Sequence, residues 1–487
     1  MKQLARLLTL VLALSVLMTS IINTASAEDG MFDEEVNLIW VQPVIDSIEF
    51  NIDAIMEEIN KLTKEKINAT ITLVKIPFDE FTDRLNMMYT ANERWDVTQG
   101  GFCNPIGTGV SMGAFAPIPR DTLEVYAPEY MTHFDSSVFD AVTYNGQIYA
   151  CPIEQIWANE YELVFNEELT DKYQYEYTSV TGFDDLDDYL ETILENEPDV
   201  VPFKTDPDSL NLLVYFFGWD CLVAPNVPGV VYTNSKDAEV INQFETEEFR
   251  SYLETMRRWY QAGYISADAA TGGDSAMNKD FAVGTDVYVP GRRQMNYNLW
   301  GFYMNAVPIS KSIALQTSKI QEHCQVISAN CENIERAVAF INLLNTDEDI
   351  LNLYIYGIPG VDWEYIDEER HIVKSLSAHY AYDFFVGNTL NTYPNDPDGF
   401  GAADEARSIN ANAEASTLLG FAFNVEPVSS QIALCSAICG EYLPGLLTGS
   451  VDYEVELANF NKALYDAGMQ DIISEMQQQV DAWMFTK

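Results

Sequence analysis

The chain contains residues that could perform covalent catalysis, but their surroundings do not fit the motif. Gly109, Ser111 and Gly113 match the G-x-S-x-G nucleophile elbow. That elbow requires a strand directly before the serine and a helix directly after it. Proline and glycine precede the motif, and residues 114–119 after it contain two prolines. We therefore interpret residues 109–113 as a flexible glycine loop.

The histidines and carboxylates do not point to a reaction either. None of the four histidines (His133, His323, His371 and His379) belongs to an H-E-x-x-H motif. With 75 Asp and Glu residues, any pair is uninformative for glycosidase chemistry, which needs two carboxylates at a defined separation. Residues 395–399, Asn-Asp-Pro-Asp-Gly, match only part of a calcium loop, and an ordinary turn is the alternative. We predict no catalytic residue, metal or cofactor, with a secreted hydrolase as an alternative.

The aromatic side chains are more informative: 8 Trp, 27 Tyr and 25 Phe. Sugar rings stack their apolar faces on aromatic planes, and their hydroxyls need fixed polar partners. Trp40, Trp157 and Trp219 lie at or beside predicted strand ends or crossings, although core packing is the alternative for each. The polar candidates at comparable junctions are Gln42, Asp96, Thr98, Gly101, Glu154, Arg292, Asp383 and Asn388. Arg292 has a structural ion pair as its alternative role.

The first 27 residues have the features of a secretory signal peptide. Lys2 and Arg6 precede an apolar run over 7–18, and residues 25–27 form an A-x-A cleavage site. The run is short for a membrane span, so an uncleaved anchor is the alternative. The remainder of the 487-residue chain is long enough for two or three domains of about 150 residues.

The net charge excludes several classes of partner, and the cysteine content bears on disulfides and zinc sites. A formal net charge of −49 argues against nucleic acid, anionic membranes and polyanionic ligands. Seven cysteines leave at least one unpaired if disulfides form, and none has zinc-site spacing. We expect mainly buried thiols, although Cys324 and Cys331 could close a loop.

The elements that position the candidate residues follow an α/β pattern. Strands are predicted over 36–41, 69–76 and up to Gly101, with helices over 47–65 and 78–91 between them. This alternation indicates a parallel sheet, and such sheets bind ligands beyond the carboxyl ends of their strands. Gln42 and Thr98–Gly101 fall at these ends.

A break in the pattern follows at residues 138–166. Asn145-Gly146 between β-prone residues predicts a hairpin, because both turn positions need a positive φ. Pro152 tends to end the next strand, and 161–166 is apolar enough for a buried one. We expect the chain to leave one α/β lobe here and to enter another.

The order of these segments resembles the extracellular solute-binding proteins of ABC importers. The group concerned is the carbohydrate-oriented class that includes maltose-binding protein, in its lipoprotein-type subgroup. The resemblance covers nearly the whole mature chain and is carried by Phe165–Leu169, Phe340–Asp347, Tyr356–Gly360 and Glu441–Gly445. It implies a two-lobed periplasmic-binding-protein type II fold with discontinuous lobes and a multi-strand hinge. Lobe 1 would comprise 28–151 and 292–380, and lobe 2 would comprise 152–291 and 381–487, with Phe281–Pro290 as the strand returning to lobe 1.

The resemblance also implies a function and a location. We expect a secreted monomer, at the outer face of the membrane or in the periplasm, that delivers a solute to an ABC permease. The first cysteine is Cys103, so no cysteine directly follows the signal to carry the lipid that is usual in the subgroup.

The expected ligand is an oligosaccharide or other neutral sugar between the lobes. Trp40, Gln42 and Gly101 would form one wall of its site, and Glu154, Trp157 and Trp219 the other. A peptide or amino-acid derivative is the alternative ligand. A surface protein that has lost transport and acts as an adhesin is the alternative function.

Overall fold

The computed structural model describes residues 32–44, 51–272, 280–291, 297, 300–310 and 313–485, so the signal peptide and Arg292 lie outside the described residues. The first elements in chain order are β1 Val36–Val44, α1 Ile52–Ile67, β2 Ala69–Pro77, α2 Phe81–Ala91, β3 Val97–Gly101, α3 Ile106–Ser111, α4 Arg120–Tyr126, β4 Thr143–Tyr144, β5 Gln147–Ile148 and β6 Cys151–Pro152. The next are β7 Tyr161–Asn166, α5 Glu167–Tyr173, α6 Asp187–Asn196, β8 Val201–Phe203, α7 Leu210–Phe217, β9 Trp219–Cys221, β10 Val230–Tyr232, α8 Glu247–Ala262, β11 Phe281–Val287 and β12 Met304–Pro308. The last are β13 Ala314–Leu315, α9 Thr317–Gln321, β14 His323–Ile327, α10 Ile334–Thr346, α11 Glu348–Tyr356, β15 Trp363–Asp367, β16 Ile372–Ser375, α12 Ala402–Asn412, β17 Glu414–Ala415, α13 Ser429–Leu447, α14 Tyr453–Asp466 and α15 Met469–Met484.

The first sheet has the strand order β2-β1-β3-β14-β6. β1 runs parallel to β2 and β3, and β14 pairs antiparallel with both β3 and β6. In the predicted apolar stripe of α1, Ile55 and Ile59 are buried, Ile52 and Leu62 are partly buried, and Ile48 lies outside the described residues. The predicted hairpin forms at β4 and β5, where Asn145 and Gly146 have φ values of 51° and 77°. A first apolar core covers this sheet and draws its buried residues from 38–151 and 324–393.

The second sheet has the strand order β12-β7-β11-β8. The buried strand β7 pairs antiparallel with β11 and β12, and β11 runs parallel to β8. A second apolar core draws its buried residues from 161–309 and 418–480. The three C-terminal helices α13, α14 and α15 contribute Cys439, Phe460 and Ile472 to it. Each sheet therefore has its own core, built from two separate stretches of chain.

The chain passes between the two cores at positions that differ from the predicted boundaries. Phe281–Pro290 does not return to the first sheet, because β11 is hydrogen-bonded to β7 over five residue pairs. β12 pairs with the same strand, so the chain stays in the second sheet to Pro308. Tyr393 is still part of the first core. The lobe boundaries stay a prediction, and the packing favours crossings within 153–160, 310–322 and 394–417.

A separate small cluster lies where these crossings meet. Ile409 and Ala413 of the third pass pack against this cluster, and its buried members are Val138, Ala141, Trp157, Ala158, Leu315, Ile320 and Leu419. β13 and β17 pair in parallel at the second and third passes. Several connections side by side permit two bodies to close about a hinge while restricting other motions.

The first pass is held by one side chain of α12. Asn410 Oδ1 accepts hydrogen bonds from the backbone N–H groups of Trp157 (2.9 Å) and Ala158 (3.3 Å). Its Nδ2 donates to the carbonyl of Gln155 (2.7 Å). A buried N–H without a partner costs about 1–3 kcal/mol, so this amide fixes the pass in place.

Asn410→Ala should lower the free energy of unfolding by about 1–3 kcal/mol, because buried N–H groups lose their acceptor. Guanidinium unfolding followed by circular dichroism measures it. Asn412→Ala is the matched control, since Asn412 is exposed and donates only within its own helix. Its change should stay within about 0.5 kcal/mol. Equal losses in the two variants would contradict the role given to Asn410.

Candidate ligand-binding site

Two exposed phenylalanines mark the carboxyl edge of the first sheet. This edge faces the hinge, because β6 ends and β14 begins there. Phe78 directly follows β2 and Phe102 directly follows β3. Their side chains are 37% and 64% exposed, and the rings lie nearly parallel with centroids 6.3 Å apart. The edge where parallel sheets bind ligands therefore presents apolar ring faces.

Further rings continue from Phe78 toward the second sheet. Phe385 lies 5.7 Å from Phe78 and 4.5 Å from Phe384, measured between ring centroids. Tyr382 lies 5.3 Å from Phe384, and the remaining steps, to Tyr380 and then Tyr356, are 5.6 and 6.0 Å. We call this set the aromatic row: Phe102, Phe78, Phe385, Phe384, Tyr382, Tyr380 and Tyr356. Its members come from four separate parts of the chain.

The aromatic row leads into a cleft of about 800 Å³. Phe384, Tyr380 and Tyr356 line one side, and residues 289–291, which follow β11 of the second sheet, line another. Its polar lining includes Gln155, Arg370, Asp383, Asn391, Asn395 and Asp396. The cleft thus lies between the two sheets and combines ring faces with amide, guanidinium and carboxylate groups.

Asp383 is the predicted site residue that lines this cleft. Burial raises the pKa of its carboxyl to about 6, against an ordinary value of 3.8. Its Oδ1 accepts a hydrogen bond from the backbone N–H of Phe384 (2.9 Å). Burial raises the pKa values of Tyr356 and Tyr380, and the same carboxylate adds to this effect, second to burial for Tyr380 and after the Tyr380 neighbour for Tyr356. The carboxylate lies close enough to the row to accept hydrogen bonds from a bound molecule.

Trp40 and Gln42 lie beneath the aromatic row instead of on the wall where they were predicted. Trp40 has no exposed surface and packs against Phe340 (5.4 Å) and Tyr354 (4.8 Å). Gln42 is buried, and its amide, oriented to suit its neighbours, accepts from Trp40 Nε1 and donates to the carbonyl of Phe385 (3.2 Å). Trp40 thus takes the core alternative, and Gln42 supports the row from below.

Asp96, Thr98 and Gly101 hold β3 against neighbouring backbone, with Asp96 at the amino end of the strand and Gly101 at its carboxyl end. Asp96 Oδ2 accepts from the N–H of Ile39 (2.7 Å), and Thr98 Oγ1 donates to the carbonyl of Val41 (2.9 Å). Both side chains are buried. Gly101 has a φ of 112°, and a Cβ there would lie 2.2 Å from the carbonyl oxygen of Gln321. Only glycine permits this approach of the two backbones.

Glu154 and Asn388 are buried and bonded to each other. Asn388 Nδ2 donates to Glu154 Oε2 (2.7 Å), and its Oδ1 accepts from the N–H of Leu390 (2.9 Å). His133 Nδ1 and Arg407 Nε lie 3.7 and 3.8 Å from the same carboxylate oxygen. The structure brings the two predicted residues together behind the cleft lining, where a ligand does not reach them.

The remaining predicted tryptophans are also buried. Trp157 packs edge-on against Phe134, with ring centroids 5.3 Å apart, in the small apolar cluster where the crossings between the lobes meet. Trp219 stacks on Phe217 (4.4 Å) in the second core. Both take the core alternative, because neither has a face left for a sugar. The predicted pair of walls, with tryptophans opposite each other, does not form.

The aromatic row itself was missed, although part of its signal was present. Phe78 and Phe102 directly follow strand ends, so the rule that selected Gln42 and Gly101 would have found them. The aromatic segment around Phe384 was visible in the sequence as well. Tyr356 joins the row only through long-range packing of α11, which no local pattern indicates.

The G-x-S-x-G segment is not the flexible loop that was predicted. Residues Ile106–Ser111 form helix α3, and Ser111 Oγ donates to the carbonyl of Gly107 (2.8 Å) within it. A Cβ on Gly109 would lie 2.1 Å from the ring of Phe115, so this glycine permits tight packing. Ser111 ends a helix and does not precede one, which is the reverse of a nucleophile elbow.

The described residues also bear on metal binding, membrane crossing and disulfide formation. Within the described ranges, no three His, Cys, Asp or Glu side chains converge enough to hold a metal ion, and no helix has the length and apolarity to cross a membrane. The side chain of Asp398 lies outside the described residues.

All seven cysteines are free thiols, five of them buried, which confirms the expectation of mainly buried thiols. Cys324 and Cys331 do not close a loop.

Comparison with known proteins decides the family. A family model described as bacterial extracellular solute-binding protein matches residues 57–360. The chain belongs to this family. A second model, described as a domain of unknown function, matches residues 417–485 of this solute-binding protein. The resemblance stated from the sequence is confirmed.

A relative from Streptococcus pneumoniae serotype 4 (strain ATCC BAA-334 / TIGR4) aligns with this chain over most of the length of both proteins. It is named a carbohydrate ABC transporter substrate-binding protein and is 26% identical over 455 residues, which cover 90% of this chain and 89% of the relative.

Solved structures agree with the architecture. The N-glycan transport solute binding protein NgtS of Streptococcus pneumoniae is 25% identical, with a TM-score of 0.79 over 92% of this chain and 99% of that one. Its complex with Man5GlcNAc superposes with a TM-score of 0.65, at 25% identity over 93% and 99% of the two chains. An HMO binding solute binding protein of Bifidobacterium longum infantis, at 15% identity and a TM-score of 0.62 over 93% and 99%, shows the fold alone. The predicted two-lobed α/β fold is confirmed. Below, the first lobe is the part around the first sheet and core, and the second lobe is the part around the second.

Asp383→Asn should change how stability depends on pH. The folded state holds the proton of Asp383 up to about pH 6, and the unfolded state loses it near 3.8. The carboxylate therefore penalises folding increasingly as pH rises from about 4 to 6. The variant should gain stability relative to the wild type across this window and keep that gain at pH 7.

Guanidinium unfolding at pH 4, 5, 6 and 7 measures this difference. Asp83→Asn, at an exposed side chain, is the control. A difference between Asp383→Asn and wild type that does not change with pH would contradict the burial of this carboxylate.

Proposed function

We propose that this solute-binding protein binds an oligosaccharide or other neutral sugar between its lobes and delivers it, unaltered, to an ABC permease. The observation that carries the proposal is the aromatic row, which runs from the exposed Phe102 into the interlobe cleft. The printed names of the pneumococcal relatives, a carbohydrate transporter protein and an N-glycan binder, support the same ligand class.

Binding would use both kinds of surface in the cleft. Apolar C–H faces of the sugar stack on the rings of Phe102, Phe78 and Phe384, while hydroxyls bond to Asp383 and neighbouring amides. Five rings of the row keep exposed surface, which suits a ligand with several sugar units: Phe102, Phe78, Phe384, Tyr382 and Tyr380. Phe385 and Tyr356 are buried and pack against the exposed rings. A ligand that contacts both lobes binds the closed state better and shifts the population toward it. These steps position and retain the ligand, and none of them changes a covalent bond.

The protein would act outside the cell as a secreted monomer. The family is extracellular, and residues 1–27 have the features of a cleaved signal. We expect the exported protein to begin at Glu28. Intact-mass spectrometry of protein recovered from the native host tests this, and a mass that retains residues 1–27 would favour the uncleaved anchor.

Phe102→Ala should weaken sugar binding about fivefold to tenfold, since a stacked ring contributes about 1 kcal/mol beyond its burial. Titration calorimetry with a panel of neutral glycans that includes Man5GlcNAc measures it. Phe485→Ala is the matched control: this ring is 93% exposed and lies at the end of the C-terminal helix, away from the cleft. Its affinity should equal that of the wild type.

The same titrations, extended to peptides, separate the alternative ligands. Binding heat from peptides, with no binding heat from any glycan, would favour a peptide ligand. Turnover of labelled glycans, in place of stoichiometric retention, would favour the hydrolase.

A further inference from the structure

The residues that carry part of the aromatic row form almost no regular structure. Asp383–Tyr393, which we call the wall segment, contains only two short 3₁₀ turns, Asp383–Phe385 and Thr389–Asn391. Its backbone groups are nevertheless largely paired, as buried groups must be. The position of Phe384 and Phe385 therefore depends on bonds from other parts of the chain.

Buried amides of the first lobe hold both ends of the wall segment. Gln325 Nε2 of β14 donates to the carbonyl of Val386 (2.6 Å), and Asn345 Nδ2 of α10 donates to Gln325 Oε1 (2.7 Å). At the other end, Asn352 Oδ1 accepts from the N–H of Tyr393 (2.8 Å). These contacts bind the wall segment to the sheet and helices behind it.

The middle of the wall segment is bound to the hinge instead. The carbonyl of Glu154 accepts from the N–H of Thr389 (2.9 Å) and from Thr389 Oγ1 (3.1 Å). Its carboxylate accepts from Asn388 Nδ2 (2.7 Å). Glu154 lies two residues after the end of β6, on the first of the three passes between the lobes. A displacement of this pass on closure is therefore transmitted to the wall segment.

We propose that Glu154 and Asn388 are positioning residues, which couple the hinge to the wall segment and so place Phe384 for the ligand as the lobes close. This inference rests on the proposed function. The two side chains are 3% and 0% exposed, so they act without touching the ligand.

The chemistry of the contact supports a positioning role over simple packing. A buried carboxylate is costly, and an apolar pair of the same shape would be as stable or more stable. The hydrogen bond from Asn388 to the Glu154 carboxylate is charge-assisted, and such bonds are shorter and stronger than neutral ones. Its direction fixes where the wall segment lies relative to the hinge, which apolar contact does not do.

A double-mutant cycle tests the proposal, with affinity measured by titration calorimetry. The probe is Man5GlcNAc, or the neutral glycan of the panel that binds most tightly. Glu154→Ala should weaken binding about tenfold, and Phe384→Ala should do the same. If Glu154 acts through Phe384, the double variant should bind within about twofold of Phe384→Ala alone. Effects that multiply would overturn the proposal.

Two further variants separate positioning from folding. Glu154→Gln keeps an oxygen that accepts from Asn388 Nδ2, so it should recover most of the affinity. If Glu154→Ala does not fold, the same cycle is run with Asn388→Ala. Asn412→Ala is the control, since its exposed side chain donates to Ser408 within its own helix and does not contact the pass or the wall segment. It should leave the affinity unchanged, both alone and combined with Phe384→Ala.

The outcomes also distinguish this inference from the proposed function. A wild type that binds no glycan would remove the proposed function. A wild type that binds glycans, with multiplying effects of Glu154→Ala and Phe384→Ala, would remove only the coupling. Failure of Glu154→Gln to recover affinity would overturn the positioning role as well.

Discussion

The ligand-facing surface depends on hydrogen bonds from buried side-chain amides to a backbone that has little regular structure of its own. Residues 383–393 must satisfy their polar groups without a sheet or a long helix. Gln42, Gln325 and Asn352 do this from within the first lobe, and Glu154 does it from the hinge, where it accepts from Asn388 and Thr389. Because each partner is buried, these bonds have fixed geometry. The rings of the row take their places from this polar layer beneath them.

The same arrangement explains how binding and closure can be linked. The three passes between the lobes contact one small apolar cluster, and a parallel strand pair joins the second pass to the third. One of these passes carries Glu154, which is bonded to the wall segment. The cleft is lined from both lobes, and a ligand that contacts both stabilises the closed state. The hinge is therefore connected to the site by direct contacts.

Most of the architecture could be predicted from the sequence, because it follows local rules. The apolar stripe of α1, the Asn145-Gly146 hairpin and the buried strand β7 all form where the periodicity and turn chemistry indicated. The second crossing was expected after Phe281–Pro290, but β11 and β12 both pair with β7, so the packing favours a later crossing. The site residues were harder to predict from the sequence, because contacts between residues far apart in the sequence decide which side chains are buried. Trp219 begins β9, whereas Trp40 lies in the middle of β1, which continues to Val44, and other aromatic rings cover both.

The C-terminal helices bear on how this chain can be divided. Residues 417–485 match a family model of their own, which suggests a separable module. Yet Phe460 packs on Phe244, and a Cβ at Gly229 would lie 2.1 Å from the sulfur of Met476. These helices fill the second core and do not form a core of their own. A chain cut before residue 417 would leave the interior of one lobe open to water, so the smallest autonomous unit includes this tail.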